Sequence, residues 1–264
     1  MIRKCIYGGL ILLASILGSG CSSSGGVAAE GDDETDIIVQ PRGNQLAETN
    51  VKLGVGYFQQ GNYEYALVKF RKAIEIDDNL PTAHYAIALL YDKLNRPNTA
   101  VKHFERATEI NPQYSDAHNA YAAFLCRKEQ YDRADEKFRK ALANPLYRSH
   151  ELVRINAGLC SVRAGKPKRA ENYFRNLLKG NPLQPTALFQ MAKLNFEAKR
   201  YLQARGYIQR FGVARKHTAQ SLLIGLKIER VLGGREDLAK YALLLQHKFP
   251  DSDEAQELLE SERR

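Results

Sequence analysis

The chain has 264 residues, 44% of them hydrophobic and 26% charged, with 39 Lys+Arg against 30 Asp+Glu and a formal charge of +9. That length allows one or two domains, and the basic balance suits nucleic acid, anionic lipid or an acidic protein as partner. The lack of Trp, with only 10 Phe, argues against an aromatic nucleic-acid platform, and a secretory leader argues against nucleic acid altogether.

The leader begins with Arg3 and Lys4, runs through a mostly apolar stretch from Ile6 to Leu17, and closes on Gly18, Ser19 and Gly20 before Cys21. This is the layout of a secretory signal peptide, and it is too short for a membrane-spanning helix. The stretch "ILGSGCSSSGG" resembles a bacterial lipoprotein signal, in which cleavage falls just before a cysteine lipidated on its thiol. Ser19, Gly20 and Cys21 fit that pattern, whereas Gly18 stands where an aliphatic residue is expected and Leu17 is one place early. The resemblance implies a leader over residues 1–20, lipidation at Cys21 and attachment to the outer membrane through acyl chains. The alternative is an ordinary leader cut near Ala28–Ala29.

Residues 21–46 then read as the lipid-attachment cysteine and a flexible acidic linker. "SSSGG" is linker composition, and "EGDDETD" carries five acids and no base, so neither buries enough apolar surface to fold. A flexible tether of this length spans roughly 25–30 Å end to end. Several acyl chains hold a protein stably where one gives only marginal binding. From residue 37 onward 37 bases face 25 acids, a charge of +12 on the part that folds.

Internal repeats determine the fold class. Ala66, Ala100 and Ala134 are spaced by 34 residues, and Ala170, Ala204 and Ala239 continue at 36, 34 and 35. A period near 34 with small and large residues at helical offsets marks a helix–turn–helix repeat. The pattern resembles the tetratricopeptide repeat, which implies an all-α, right-handed superhelical solenoid of antiparallel helix pairs. Six repeats follow over residues 47–253: 47–80, 81–114, 115–148, 151–184, 185–218 and 220–253. Gly54, Ala88, Ala122, Gly158 and Ala192 are the small residues of the first helices, with Lys227 the exception in the sixth. Phe70, Phe104, Phe138, Phe174, Ile208 and Leu243 are the large partners on the second helices. Gly61, Gly165 and Gly234 are placed at the turns, where a positive φ is often needed. The tail, residues 254–264, places Ala255, Leu258 and Leu259 on one side of a closing helix, which an open array requires.

No catalytic constellation outweighs a structural reading. His84 and His118 stand 34 residues apart, but both occupy a repeat position reserved for packing between helices. HExxH, CxxC, GxSxG and a glycine-rich phosphate loop are all missing. Tyr57, Tyr63, Tyr91, Tyr131 and Tyr201 fall at repeat positions and read as scaffold. The expectation is a binding protein, not an enzyme, with no cofactor, no metal, no nucleic-acid partner and no small-molecule substrate.

Such arrays bind along the concave wall made by their first helices. Val51, Val55, Phe58, Tyr85 and Leu89 occupy that wall in the first two repeats, and apolar residues at solvent-facing places point to a partner groove. The alternative is cover by the chain's own Ile37, Ile38 and Val39, or simple packing. The clamp of Lys, Arg and Asn with which related domains hold chaperone C-termini is absent, its places being Val51, Val55, Ala86, Asp116 and Ala120.

Leader, tether and repeats together resemble the tetratricopeptide lipoproteins of type IV pilus biogenesis, the secretin pilotins. "FLC", "ANPLY" and "NAGLC" carry the likeness beyond what the repeat demands. Membership implies an outer-membrane lipoprotein facing the periplasm that helps the pilus secretin to localise and multimerise. Its partner is then a secretin subunit or another pilus-assembly protein. Ser22 after Cys21 resembles an outer-membrane sorting signal. The rival reading is a lipoprotein of other envelope machinery, for outer-membrane protein insertion or for regulating a cell-wall enzyme.

Removal of Cys5 with the leader and acylation of Cys21 leave Cys126 and Cys160, 34 residues apart on first helices of adjacent repeats. Packed helices lie about 8–10 Å apart, and the periplasm is oxidising, so a disulfide is expected between them. The alternative is two buried thiols that pack as apolar groups.

Overall fold

The computed structural model describes residues 43–263, so the leader, Cys21 and most of the tether lie outside the described residues. Thirteen α-helices and no strand are found among them. They are α1 (Gly43–Gln59), α2 (Tyr63–Ile76), α3 (Pro81–Lys93), α4 (Pro97–Ile110), α5 (Ser115–Arg127), α6 (Tyr131–Ala143) and α7 (His150–Arg163). Then follow α8 (Pro167–Gly180), α9 (Pro185–Glu197), α10 (Tyr201–Ala214), α11 (Ala219–Leu232), α12 (Arg235–Lys248) and α13 (Asp253–Glu262). The all-α expectation holds, and residues 43–46, assigned by composition to the linker, belong to α1. None of these helices is long and apolar enough to cross a membrane.

Local chemistry starts and stops the helices at the repeat period. Proline opens α3, α4, α8 and α9, where its missing N–H costs nothing. Thr218 and Ser221 form a reciprocal capping box at the start of α11. At the turn inside each pair the chain takes a positive φ, at Gly61, Asn95, Glu129, Gly165, Lys199 and Gly233. In the sixth repeat this residue is Gly233, not Gly234 as expected, which has φ −79°.

Helices pair in order, α1 with α2 through to α11 with α12. Ala66, Ala100, Ala134, Ala170 and Ala204 are fully buried, because any larger side chain would hold the paired helices apart. The first helices also touch one another, α1 with α3, α3 with α5 and α5 with α7. The second helices do not approach to the same degree, so the array curves with its first helices on the inside.

The sixth repeat departs from the expected register. Ala239 is exposed and Leu243 is 67% exposed, so neither plays the core part assigned to it. The close approach is made instead by Gly225, where a Cβ would lie 2.9 Å from the Tyr241 ring. Gly54 against Phe70 and Gly158 against Phe174 make the same contact at the same offset. Lys227 lies outside this contact and pairs with Glu257 at 2.6 Å. Residue α13 neighbours Ala255 and Leu258 are buried against Leu222, Leu226, Tyr241 and Leu245, whereas Leu259 is 44% exposed.

Candidate partner-binding groove

The five apolar residues singled out on α1 and α3 all line one cavity of about 400 Å³. The alternation along α1 explains the arrangement: Val51, Val55 and Phe58 follow one another at helical spacing on a single face. Tyr85 and Leu89 do the same on α3, and the buried Phe70 ring of α2 forms the floor. Gly54 is required there because Phe70 occupies the space of any Cβ, 2.5 Å away. A Leu-sized side chain buried in such a site contributes about 1.5–3 kcal/mol.

Two further features of the groove were not legible in the repeat pattern. Tyr114, from the loop before α5, packs edge-on to Tyr85 with ring centroids 5.3 Å apart. Thr82 lines the cavity, and its Oγ1 is buried with no hydrogen-bond partner among the described residues. Outside the groove lining, Asp116 accepts a hydrogen bond from the Tyr147 hydroxyl at 2.7 Å. Burial, with Asp116 adding to it, pushes the Tyr85 phenol up to about 12, and burial also raises Tyr114. Both phenols therefore stay neutral donors in the groove.

Of the places that would hold a carboxylate clamp, Val51, Val55 and Ala86 form apolar wall. The site can bury apolar side chains and donate hydrogen bonds from two phenols. Among the described residues no group of His, Cys, Asp and Glu is arranged to hold a metal ion. His84 and His118 are buried, and each sets Nε2 2.9 Å from a backbone carbonyl oxygen, of Asp78 and of Pro112. Tyr57, Tyr63 and Tyr91 pack half-buried on the core around Phe70 and Ile87, and Tyr131 on the core around Phe104, Tyr121 and Phe138.

Farther along the wall Cys126 on α5 and Cys160 on α7 are joined as a disulfide, with Cα atoms 5.9 Å apart. Both residues are buried. The bond ties the third repeat to the fourth across the irregular junction that contains Ser149.

Comparison with known proteins gives the groove a context. Tetratricopeptide-repeat profiles match residues 54–95, 81–114, 103–136 and 161–212. Over 248 residues the chain is 31% identical to type IV pilus assembly protein PilF of Pseudomonas aeruginosa, covering 94% of this chain and 96% of that protein. The chain belongs to the PilF family. The solved structure of Pseudomonas aeruginosa PilF matches with a TM-score of 0.70 at 32% identity, over 83% of this chain and 99% of that one. PilW, described as a widely conserved type IV pilus biogenesis factor, matches with a TM-score of 0.66 at 28% identity, over 81% of this chain and 99% of its own. The groove spans the first two matched stretches and reaches upstream of them to Val51.

Proposed function

We propose that this protein is a pilotin: an outer-membrane lipoprotein, anchored through Cys21 and facing the periplasm, that helps the type IV pilus secretin to localise and multimerise. It acts by binding, not by catalysis. The observation that carries this reading is the convergence of Val51, Val55, Phe58, Tyr85 and Leu89 on one apolar cavity in a chain of the PilF family. The occupant is an apolar segment of a secretin subunit or of another pilus-assembly protein. The Cys126–Cys160 bond forms in the oxidising periplasm and fixes the middle of the scaffold, contributing about 3–4 kcal/mol by the chain-entropy account.

Secretin multimers provide the test. Phe58→Ala and Tyr85→Ala lower multimer yield while the melting temperature of the array holds. A melting temperature that falls in step with yield would make these core residues and sink the groove. Labelling with a clickable palmitate marks the wild type and leaves Cys21→Ala blank; equal labelling of both removes the anchor. Normal secretin multimers in a deletion strain with defective barrel insertion or cell-wall synthesis would transfer the protein to that machinery.

A further inference from the structure

A second cavity, of about 360 Å³, lies between α4, α5 and α6 and shares no residue with the groove. His118 lines it and is only 2% exposed. A carbonyl oxygen can only accept, so the Nε2 that lies 2.9 Å from the Pro112 carbonyl carries the hydrogen and donates it. In the neutral ring Nδ1 is then a bare acceptor. It is buried and has no partner among the described residues, an arrangement that native interiors avoid because the desolvation is uncompensated.

The preceding repeat supplies an internal control. His84 occupies the same repeat position, and there Nδ1 meets Nδ1 of His103 at 3.1 Å. Lys137 takes the place of His103 in the third repeat. Its ammonium does not complete the histidine; it sits over the Tyr121 ring, 5.3 Å from the centroid. Lys137 and Lys140 both line the cavity, and Lys140 also pairs with Glu136 at 3.0 Å. The charged groups around His118 are thus Glu109 on α4 and Glu136, Lys137 and Lys140 on α6. Burial keeps the imidazole below its ordinary pKa and the Lys137 ammonium below its own.

We propose that this cavity is a site for a protonated phosphate group, carried by a soluble monoester or by a lipid headgroup. The P–OH donates to Nδ1 of His118, and the charged oxygens accept from Lys137 and Lys140. A phosphomonoester has its second pKa near about 6, so the protonated form is present around neutral pH. Sulfate has no proton to give there and faces the same lone pair with a negative oxygen. Binding a fully ionised phosphate requires a proton from solvent on Nδ1, so affinity rises as pH falls toward the phosphate pKa in either description. Glu109 is the one carboxylate lining the cavity, and it opposes the ligand.

The test is a titration of the full chain in detergent with inorganic phosphate and, separately, with sulfate, following the imidazole ¹⁵N resonances of His118. Phosphate is expected to shift the Nδ1 resonance and to bind about tenfold or more tighter than sulfate, the worth of one charge-assisted hydrogen bond. Lys137→Met weakens phosphate by a similar factor, and Glu109→Gln strengthens it. Lys137→Met serves as the deciding variant if His118→Gln does not fold. Equal binding of the two anions, a silent His118, or an unaffected Lys137→Met would overturn the site. Lys137-dependent retention on vesicles containing phosphatidic acid, above phosphatidylcholine alone, assigns the lipid source. Phosphate binding without that retention assigns a soluble monoester; both results uphold the site.

Discussion

The two ends of the array put the same repeat positions to opposite uses. In α1 the inner-wall positions hold Val51, Val55 and Phe58, with Val51 9% exposed at the core edge, Val55 36% exposed and Phe58 half-buried. In α11, counting from Gly225 as the equivalent of Gly54, those positions hold Leu222, Leu226 and Glu229, which are 0%, 2% and 0% exposed. The difference is what lies against them. α13 brings Ala255 and Leu258 onto Leu222 and Leu226, and Arg205 Nε donates to Glu229 Oε1 at 2.8 Å as one arm of a two-armed pair. No described element does this for α1. The same wall is thus a finished core at one end and an unfilled groove at the other.

The largest effect is expected where the wall is closed. Leu258→Ala removes the main anchor of α13 and should cost about 2–5 kcal/mol, the range for a buried leucine whose surroundings collapse only partly. Chemical denaturation measures it, and on the proposed function secretin multimer yield at low temperature should stay near wild type because the groove is untouched. A loss well under about 1 kcal/mol would mean that α13 is not closing the array.

At the open end a smaller loss is expected from adding one carbon. Gly54→Ala puts a Cβ 2.5 Å from the Phe70 ring that floors the groove, so the ring must move. Overpacking of this sort costs about 1–3 kcal/mol, and here it should also lower multimer yield. Gly56 is the control on the same helix: nothing lies within 4 Å of its added Cβ, so Gly56→Ala should stabilise α1 slightly. If both alanines melt alike, the tight packing between Gly54 and Phe70 is not what sets the groove.

Much of this contrast could be read before any coordinates. Small residues recur at one place per repeat because paired helices must touch there, so Ala66, Ala100 and Ala134 announce the period directly. Val55 and Phe58 stood out because an apolar residue at an outward repeat position has no core to explain it, whereas Val51 is buried with Ala47, Phe70 and Ile87. The sixth repeat misled for a physical reason: Ala239 completes the arithmetic series, while the true contact pairs Gly225 with a tyrosine, a residue that elsewhere in the chain marks scaffold. Leu259 matched the helical side of Leu258 yet lies at its solvent edge. Tyr114, Thr82 and the bare Nδ1 of His118 depend on how neighbouring repeats meet, and a period within one repeat carries no information about that.

The smallest effect distinguishes the two ends by acid. Each has a desolvated histidine: His103 beside α3, held down to about 4 by burial and then by His84, and His217 next to α11, lowered by burial and then by Lys240 and Lys248. Both rings are neutral in the folded protein where the unfolded chain, at the ordinary 6.5, has begun to bind protons. The unfolded state therefore gains protons first, and stability present above 6.5 is lost as pH falls through that value toward about 4 for His103. From about pH 7 to about pH 6 the loss should stay under about 1 kcal/mol for each ring. Added salt should raise the His217 midpoint more than that of His103, because Lys240 and Lys248 are exposed charges that ions screen. His103 has one exposed cation, Arg71, whose lowering Asp78 opposes, and otherwise a packed imidazole stacked on Tyr91, with centroids 5.7 Å apart, and His84 within hydrogen-bonding distance. Titrating the ring Cε1 protons by NMR at low and high salt checks this. A His103 midpoint near the ordinary 6.5 would show that the ring is hydrated, and that the junction behind the groove is looser than the closed end.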